Sequence, residues 1–435
     1  MNTGSTPPHT PAAKLAPQHQ PWLFTCLSAT LALVVGALSG SLSALFLWSL
    51  ERVTELRFAH PQLVFCLPIA GIFVVWIYRR WGADSGRGND LILERILLRN
   101  GRVPARIVGL IFGGSVLSHL FGASTGREGA AVQMGGGLAS LLLRLTNLQD
   151  QYGRPLLVAG AAAGFSSIFG TPLAGALFAV EAPAPNQPLF RLLPIALTAS
   201  LVGDATCRAW GATHAHYFVQ SPRWATLLTP QTLGALLLAS LIFGWVGKLF
   251  VQTHDGIRFL YGKIGCPWWL PPALGGLLLL ASSQFPFLSD YLGLGTWSSR
   301  EGAVTLASAF QPDGASDLSW IAKLSLTALS LGSGFKGGEV TPMFFIGATL
   351  GNSLATHLHL APDLFAALGF VAVFAAAAHT PLAGAVLAAE LFGFAFLPIF
   401  LPVCWIAHLA CGRTGLYANQ LRKVLPSPAV CPSQK

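Results

Sequence analysis

The chain has 435 residues, of which 53% are hydrophobic and only 10% charged, with a formal net charge of +9 and a mean hydropathy of +0.59. A soluble domain carries roughly 25% charged residues, so this composition excludes an ordinary soluble enzyme and implies an all-α, polytopic membrane protein. The positive balance fits arginine-rich cytoplasmic loops. No basic run is interleaved with aromatics, so no nucleic-acid partner is expected.

Residues 1–21 are polar and proline-rich and are predicted to form a disordered cytoplasmic tail. Residues 22–50 predict a long helix able to cross a bilayer, since about 20 apolar residues suffice. Glu51 to His60 reads as a polar link, and residues 62–78 return across the membrane. The segment that follows carries Arg79, Arg80, Arg87, Arg95, Arg99, Arg102 and Arg106. The positive-inside rule makes it cytoplasmic, and two crossings earlier the N-terminus is cytoplasmic too.

From residue 103 the apolar segments become short and are broken by Gly and Pro. Helices are predicted near 103–120, 128–145, 154–169, 172–184 and 188–207, then near 231–253, 268–284, 317–331, 340–358, 363–378, 382–396 and 397–411. Residues 412–435 read as a short cytoplasmic tail carrying Tyr417, so no sizeable soluble domain is expected there. The seven cysteines, Cys26, Cys66, Cys207, Cys266, Cys404, Cys411 and Cys431, contain no CxxC pair. Buried free thiols are expected, with no metal site and no cofactor.

The sequence repeats itself. Thr171-Pro172-Leu173-Ala174-Gly175-Ala176 recurs 209 residues on as Thr380-Pro381-Leu382-Ala383-Gly384-Ala385, and Glu181 recurs as Glu390 at the same offset. Gly126-x-Glu128 recurs 211 residues on as Gly337-x-Glu339. Two halves, about 22–207 and 231–411, are therefore predicted within one transmembrane domain, 22–411. Short, interrupted helices at matching positions place a transport site near the midplane, where the halves meet.

The chain is organised around the stretch Gly122–Gly137, GASTGREGAAVQMGGG. It sets Arg127 and Glu128 inside an apolar run, where ionisable residues are costly and mark pathways or proton relays. The helix that follows begins with unpaired N–H groups and a positive partial charge, including those of Gly129 and Ala130, and so suits an anion. Glu128 would sit beside that anion as a competing, protonatable one. The plainer reading is an Arg127–Glu128 ion pair in a surface loop.

In the second half, Glu339 precedes a helix expected to begin near Thr341-Pro342. Val340 and Thr341 would offer backbone N–H groups, and Thr341 also a hydroxyl. Glu339 and Thr341 could equally be helix caps. Asn89 could donate its amide to an anion, but its spacing favours an ordinary N-cap. Tyr417 reads as an interfacial tyrosine. Glu181 and Glu390 read as structural carboxylates at helix ends, and the histidines have no ligand spacing.

These motifs resemble the CLC family of chloride channels and proton-coupled anion antiporters. GREGAAVQMG resembles the family's GREG signature, and GGEVTP stands at its GxFxP position. The resemblance covers roughly residues 22–425. It implies two inverted-topology halves of short, tilted, discontinuous helices, a homodimer with one pathway per subunit, and a multi-pass protein of the cell's inner (plasma) membrane. It makes Glu128 the gate that swings between anion sites and carries protons, and it makes Tyr417 the tyrosine of the central site.

Departures from the chloride pattern are specific. Gly88-Asn89-Asp90-Leu91-Ile92 replaces GSGIP, Glu181-Ala182 replaces a Glu-Glu pair, and Glu339 replaces an apolar residue. This combination resembles the fluoride/proton branch, in which the residues matching Glu339 and Thr341 handle fluoride and protons. The expected substrates are fluoride, or chloride, together with protons. A chloride/proton antiporter or chloride channel on the same fold is the alternative. An intramembrane serine protease using Ser124 and His119 is a further one.

Overall fold

The computed structural model describes residues 21–98, 102–148, 150–184, 188–215, 217–220 and 229–417. Among them sixteen α-helices form two series of eight. The first series is α1 Pro21–Ala59, α2 Leu67–Trp81, α3 Asn89–Leu97, α4 Ile107–Phe121, α5 Glu128–Leu145, α6 Gly153–Phe169, α7 Pro172–Glu181 and α8 Leu193–Ala209. The second is α9 Pro230–Ile264, α10 Leu270–Ser283, α11 Pro286–Ser289, α12 Ser319–Gly332, α13 Val340–Leu358, α14 Pro362–Ala378, α15 Pro381–Phe392 and α16 Leu397–Cys411. Each series opens on one very long helix, of 39 and 35 residues, and ends on matching shorter ones.

By length and composition, five helical stretches among the described residues can cross a membrane, including Cys26–Ala59, Pro61–Trp81 and Pro230–Ile264. Leu33, Ile69, Leu237, Trp245 and Leu277 are exposed on α1, α2, α9 and α10, which gives these helices an apolar outer face suited to lipid. The core lies between the repeats. It is formed by α5, α6, α13 and α14, most of whose residues are buried.

Small residues make that core possible. A Cβ on Gly135 would run into the carbonyl of Gly160, and one on Gly347 into that of Gly369. The α5–α6 and α13–α14 pairs therefore approach backbone to backbone at equivalent places, as small residues permit in membrane bundles.

The halves are joined at two further places. Gly126 and Gly338 form an antiparallel bridge, with Gly126 N–H donating to Gly338 O at 2.5 Å and Gly338 N–H to Gly126 O at 2.6 Å. The repeated TPLAG helices cap each other. Leu173 and Ala174 N–H, in the first turn of α7, donate to the Glu390 carboxylate at 2.9 and 2.8 Å. Leu382 and Ala383 N–H, in the first turn of α15, donate to Glu181 at 3.1 and 2.8 Å. Each glutamate closes its own helix and satisfies orphan N–H groups of the other half's helix.

Several expectations change. The polar link at Glu51–His60 is helix, because α1 runs on to Ala59 with an Arg52–Glu55 pair on its surface at 3.0 Å. Helix α3 lies inside the arginine-rich segment read as loop. The helix expected over 382–396 stops at Phe392, where Gly393 adopts φ 116°. Cys207, Cys404 and Cys411 are buried, but Cys26 and Cys66 are exposed. The expected tail at 1–20 and Cys431 lie outside the described residues.

Candidate functional site

The GREG loop and the GGEVTP loop meet across the Gly126–Gly338 bridge. The fit depends on glycine. A Cβ on Gly126 would lie 2.7 Å from Pro342 Cδ. One on Gly129 would lie 2.6 Å from Glu339 Oε2 and 2.8 Å from Asn89 Nδ2.

The crossing brings Glu128, the first residue of α5, to the start of α13. Its carboxylate is fully buried. Thr341 N–H donates to Glu128 Oε2 at 3.0 Å, and the Thr341 hydroxyl makes a short hydrogen bond to the same oxygen. Arg127 Nε donates to Oε1 at 3.2 Å. The expected Arg127–Glu128 ion pair exists, but it lies in the interior and not in a surface loop. A carboxylate at a helix N-terminus, held by backbone N–H and hydroxyl, occupies the place where a small anion would be bound.

Helix α13 begins at Val340, where the predicted 340–358 helix begins, with Glu339 in the N-cap position but making no side-chain cap bond. Glu339 therefore holds the N-cap position without bonding through its side chain, while Thr341 lies inside the helix and gives both its donors to Glu128. Gly129, Ala130 and Val340 stand in first helical turns, where N–H groups lie outside the intrahelical ladder.

Asn89 is also no N-cap. Gly88 takes that position with φ 59° and no side-chain bond follows, so the Asn89 side chain is turned inward and is 4% exposed. Tyr417 is no interfacial residue of a tail. It is 2% exposed, its ring edge-on to Phe178 at 6.5 Å. The Asn89 amide lies within hydrogen-bonding reach of both Glu339 and Tyr417, but neither its polar atoms nor the Tyr417 hydroxyl completes a well-aligned bond. Buried, poorly satisfied polar atoms that converge leave donor capacity for a small anion.

Three cavities border these residues. One of about 170 Å³ lies on the side of the arginine-rich segment and reaches Asn89, Glu339 and Tyr417. One of about 300 Å³, lined by Thr54, Arg127, His214 and Thr296, opens at the far end of α1. A third space of about 10 Å³, lined by Arg127, Glu128, Tyr217, Thr341 and Phe344, has room for about one water and shares Arg127 and Thr296 with the cavity of about 300 Å³. Glu128 thus borders the smallest of these three spaces.

Tyr417 is fixed from behind. His379 Nε2 lies 3.1 Å from Thr414 O, Cys411 Sγ is 3.0 Å from the same oxygen, and Leu416 N–H donates to Ala377 O at 2.7 Å. His379 Nδ1 and His408 Nδ1 are 3.1 Å apart. With His379 Nε2–H spent on a carbonyl, its Nδ1 must accept from His408 Nδ1–H. The histidines thus have a paired role that their scattered spacing did not reveal. Ser124 and His119 are not paired: Ser124 Oγ is bonded to Tyr291 O and Thr327 Oγ1, both at 2.9 Å, and His119 Nδ1 to Ser115 O at 2.7 Å.

Comparisons with known proteins agree with this geometry. Residues 70–412 match the model of the voltage gated chloride channel family. A chloride/fluoride channel protein from Pseudomonas syringae pv. tomato is 42% identical over 396 residues, covering 90% of this chain and 85% of the relative. An H(+)/Cl(-) exchange transporter from Vibrio cholerae is 27% identical over 409 residues, covering 83% of this chain and 81% of the relative. Among solved structures, a CLC-type fluoride/proton antiporter superposes with a TM-score of 0.86 at 32% identity, covering 92% of this chain and 99% of that one. A slow cyanobacterial Cl-/H+ antiporter, at 21% identity and a TM-score of 0.75 over 90% of this chain and 96% of that one, shares the fold.

Proposed function

The chain belongs to the voltage-gated chloride channel family, and we propose that it is a proton-coupled antiporter that exports fluoride in exchange for protons. The observation that carries this reading is the Glu128 carboxylate seated on the N-terminus of α13, hydrogen-bonded by Thr341. The relatives support the substrate: one is a chloride/fluoride channel protein and another a fluoride/proton antiporter.

The chemistry follows from competition. Ionised Glu128 and a free anion cannot share one set of donors, because like charges at contact repel. A proton on Glu128 removes its claim on those donors, and the anion takes the Thr341 N–H and hydroxyl. Loss of the proton reverses the exchange. One group thereby links proton and anion movement.

Fluoride is small and strongly hydrated, and its dehydration must be offset by several close donors. We assign that role to Thr341, the first-turn N–H groups of Gly129, Ala130 and Val340, the Asn89 amide and the Tyr417 hydroxyl. Glu339, beside Asn89, is assigned as the second protonatable carboxyl on the route. We place the protein in the inner (plasma) membrane as a multi-pass homodimer with one pathway per subunit. It moves its substrates unchanged and is a transporter, not an enzyme.

The test is reconstitution into liposomes loaded with fluoride or with chloride, with membrane voltage clamped by an ionophore. Fluoride efflux with proton uptake, and little chloride efflux, is expected. Chloride efflux as fast as fluoride efflux would move the protein to the chloride/proton class.

A further inference from the structure

The cavity beside Asn89 and Tyr417 contains a cation that the exchange described above does not use. Lys336 lies in the loop before α13 and is partly buried. Its ammonium sits over the Tyr78 ring, 4.5 Å from the centroid, and its backbone N–H is held by Ser118 Oγ at 3.1 Å. Gly114 on α4 makes the space: a Cβ there would come within 3.1 Å of Lys336 Cβ and 3.4 Å of Tyr78 Cε2.

Among the described residues no carboxylate lies within ion-pair distance of Lys336. Asp90 lines the same cavity, as do His254 and the exposed Arg258 near its mouth. Arg87 is engaged by Glu94. Two hydroxyls also line the space, those of Tyr78, 8% exposed, and Ser85, 1% exposed, and neither has a hydrogen-bond partner. A sheltered ammonium without a counter-charge is costly, and buried hydroxyls without partners add to that cost. The ammonium and both hydroxyls line one cavity, and each is a donor that a small anion can accept from.

We propose that Lys336, with the Tyr78 and Ser85 hydroxyls, forms a recruiting site for small inorganic anions, fluoride in the first place, on the arginine-rich side of the Asn89–Tyr417 site. The site concentrates the anion before it meets Asn89, and its ammonium and hydroxyl donors begin to replace the hydration shell. The inference rests on the transport reading above and deepens it.

The experiment measures initial fluoride efflux from liposomes against fluoride concentration, separately for protein facing each way, in wild type, K336M and K336R. K336M keeps the chain length and removes the charge. It should raise the apparent KM for fluoride entering from the arginine-rich side by about tenfold. The KM for entry from the other side, the maximal rate and the proton-to-fluoride ratio should stay within about twofold of wild type, and K336R should recover most of the KM. An unchanged KM in K336M, or a KM raised equally from both sides, overturns the recruiting site while leaving the antiporter reading intact. A wild-type protein that fails to exchange fluoride for protons overturns both.

Discussion

The Glu128 carboxylate belongs to one half of the molecule and is held by Thr341 of the other. Both donors of Thr341, the N–H at 3.0 Å and the hydroxyl, end on a single carboxylate oxygen. The pair borders a space of about 10 Å³ that shares Arg127 and Thr296 with the cavity of about 300 Å³.

Thr341→Val tests the hydroxyl. The substitution keeps the volume and leaves the backbone N–H in place, but it removes one hydrogen bond to a charged group, worth about 1.5–3 kcal/mol. The carboxylate should leave its seat more readily and let fluoride slip through without its proton. Fluoride efflux and proton uptake recorded together should show a higher fluoride-to-proton ratio than wild type. A ratio identical to wild type would mean that the backbone N–H alone does the holding.

Asn89→Ser tests the inward-turned amide. Asn89 offers an N–H donor beside Glu339 and Tyr417, and serine is shorter with one hydroxyl. Fluoride flux should fall relative to chloride flux, read as a several-fold change in the ratio of the two initial rates. An unchanged ratio would remove Asn89 from the anion site.

His379→Phe tests the support behind Tyr417. Phenylalanine fills the ring volume but cannot donate to Thr414 O, which the histidine meets at 3.1 Å. With Leu416 and Cys411 still bonded, the fold should persist while Tyr417 loses register. Fluoride KM should rise several-fold in His379→Phe and return toward wild type in His379→Gln, whose amide can donate. Equal KM values in wild type and His379→Phe would show that the Leu416 and Cys411 bonds suffice.

The reciprocal caps make a stability prediction. Glu181→Ala and Glu390→Ala each orphan two N–H groups at the start of the other half's helix. Loss of an N-terminal cap costs about 0.5–2 kcal/mol, so each variant should unfold in detergent at a Tm lower by about 2 °C or more. The two losses should be similar, because the caps are related by the repeat. A large loss in one and none in the other would break that equivalence.

What could be read from the sequence was whatever breaks a rule of membrane composition. Arg127-Glu128 in an apolar run and the TPLAG repeat both do so, and they located the crossing of the halves. Elements hidden by their charges were missed. Glu51, Arg52, Glu55 and Arg57 disguised the last turns of α1, and the arginines around α3 disguised a helix that aims Asn89 inward. Tyr417 reads as a tail residue, because only the bonds to His379, Cys411 and Ala377 show that its segment folds back. Lys336, Tyr78 and Ser85 come from three separate segments, and no spacing announces their meeting.

The most direct test of the gate is proton uptake during fluoride efflux in liposomes, wild type against Glu128→Gln. The amide is nearly isosteric and can still accept from Thr341, but it cannot take up and release a proton. The account predicts proton uptake coupled to fluoride efflux in wild type, and none above background in Glu128→Gln whatever fluoride flux remains. Proton uptake in Glu128→Gln at the wild-type ratio to fluoride would contradict it and send the search for the proton carrier to Glu339.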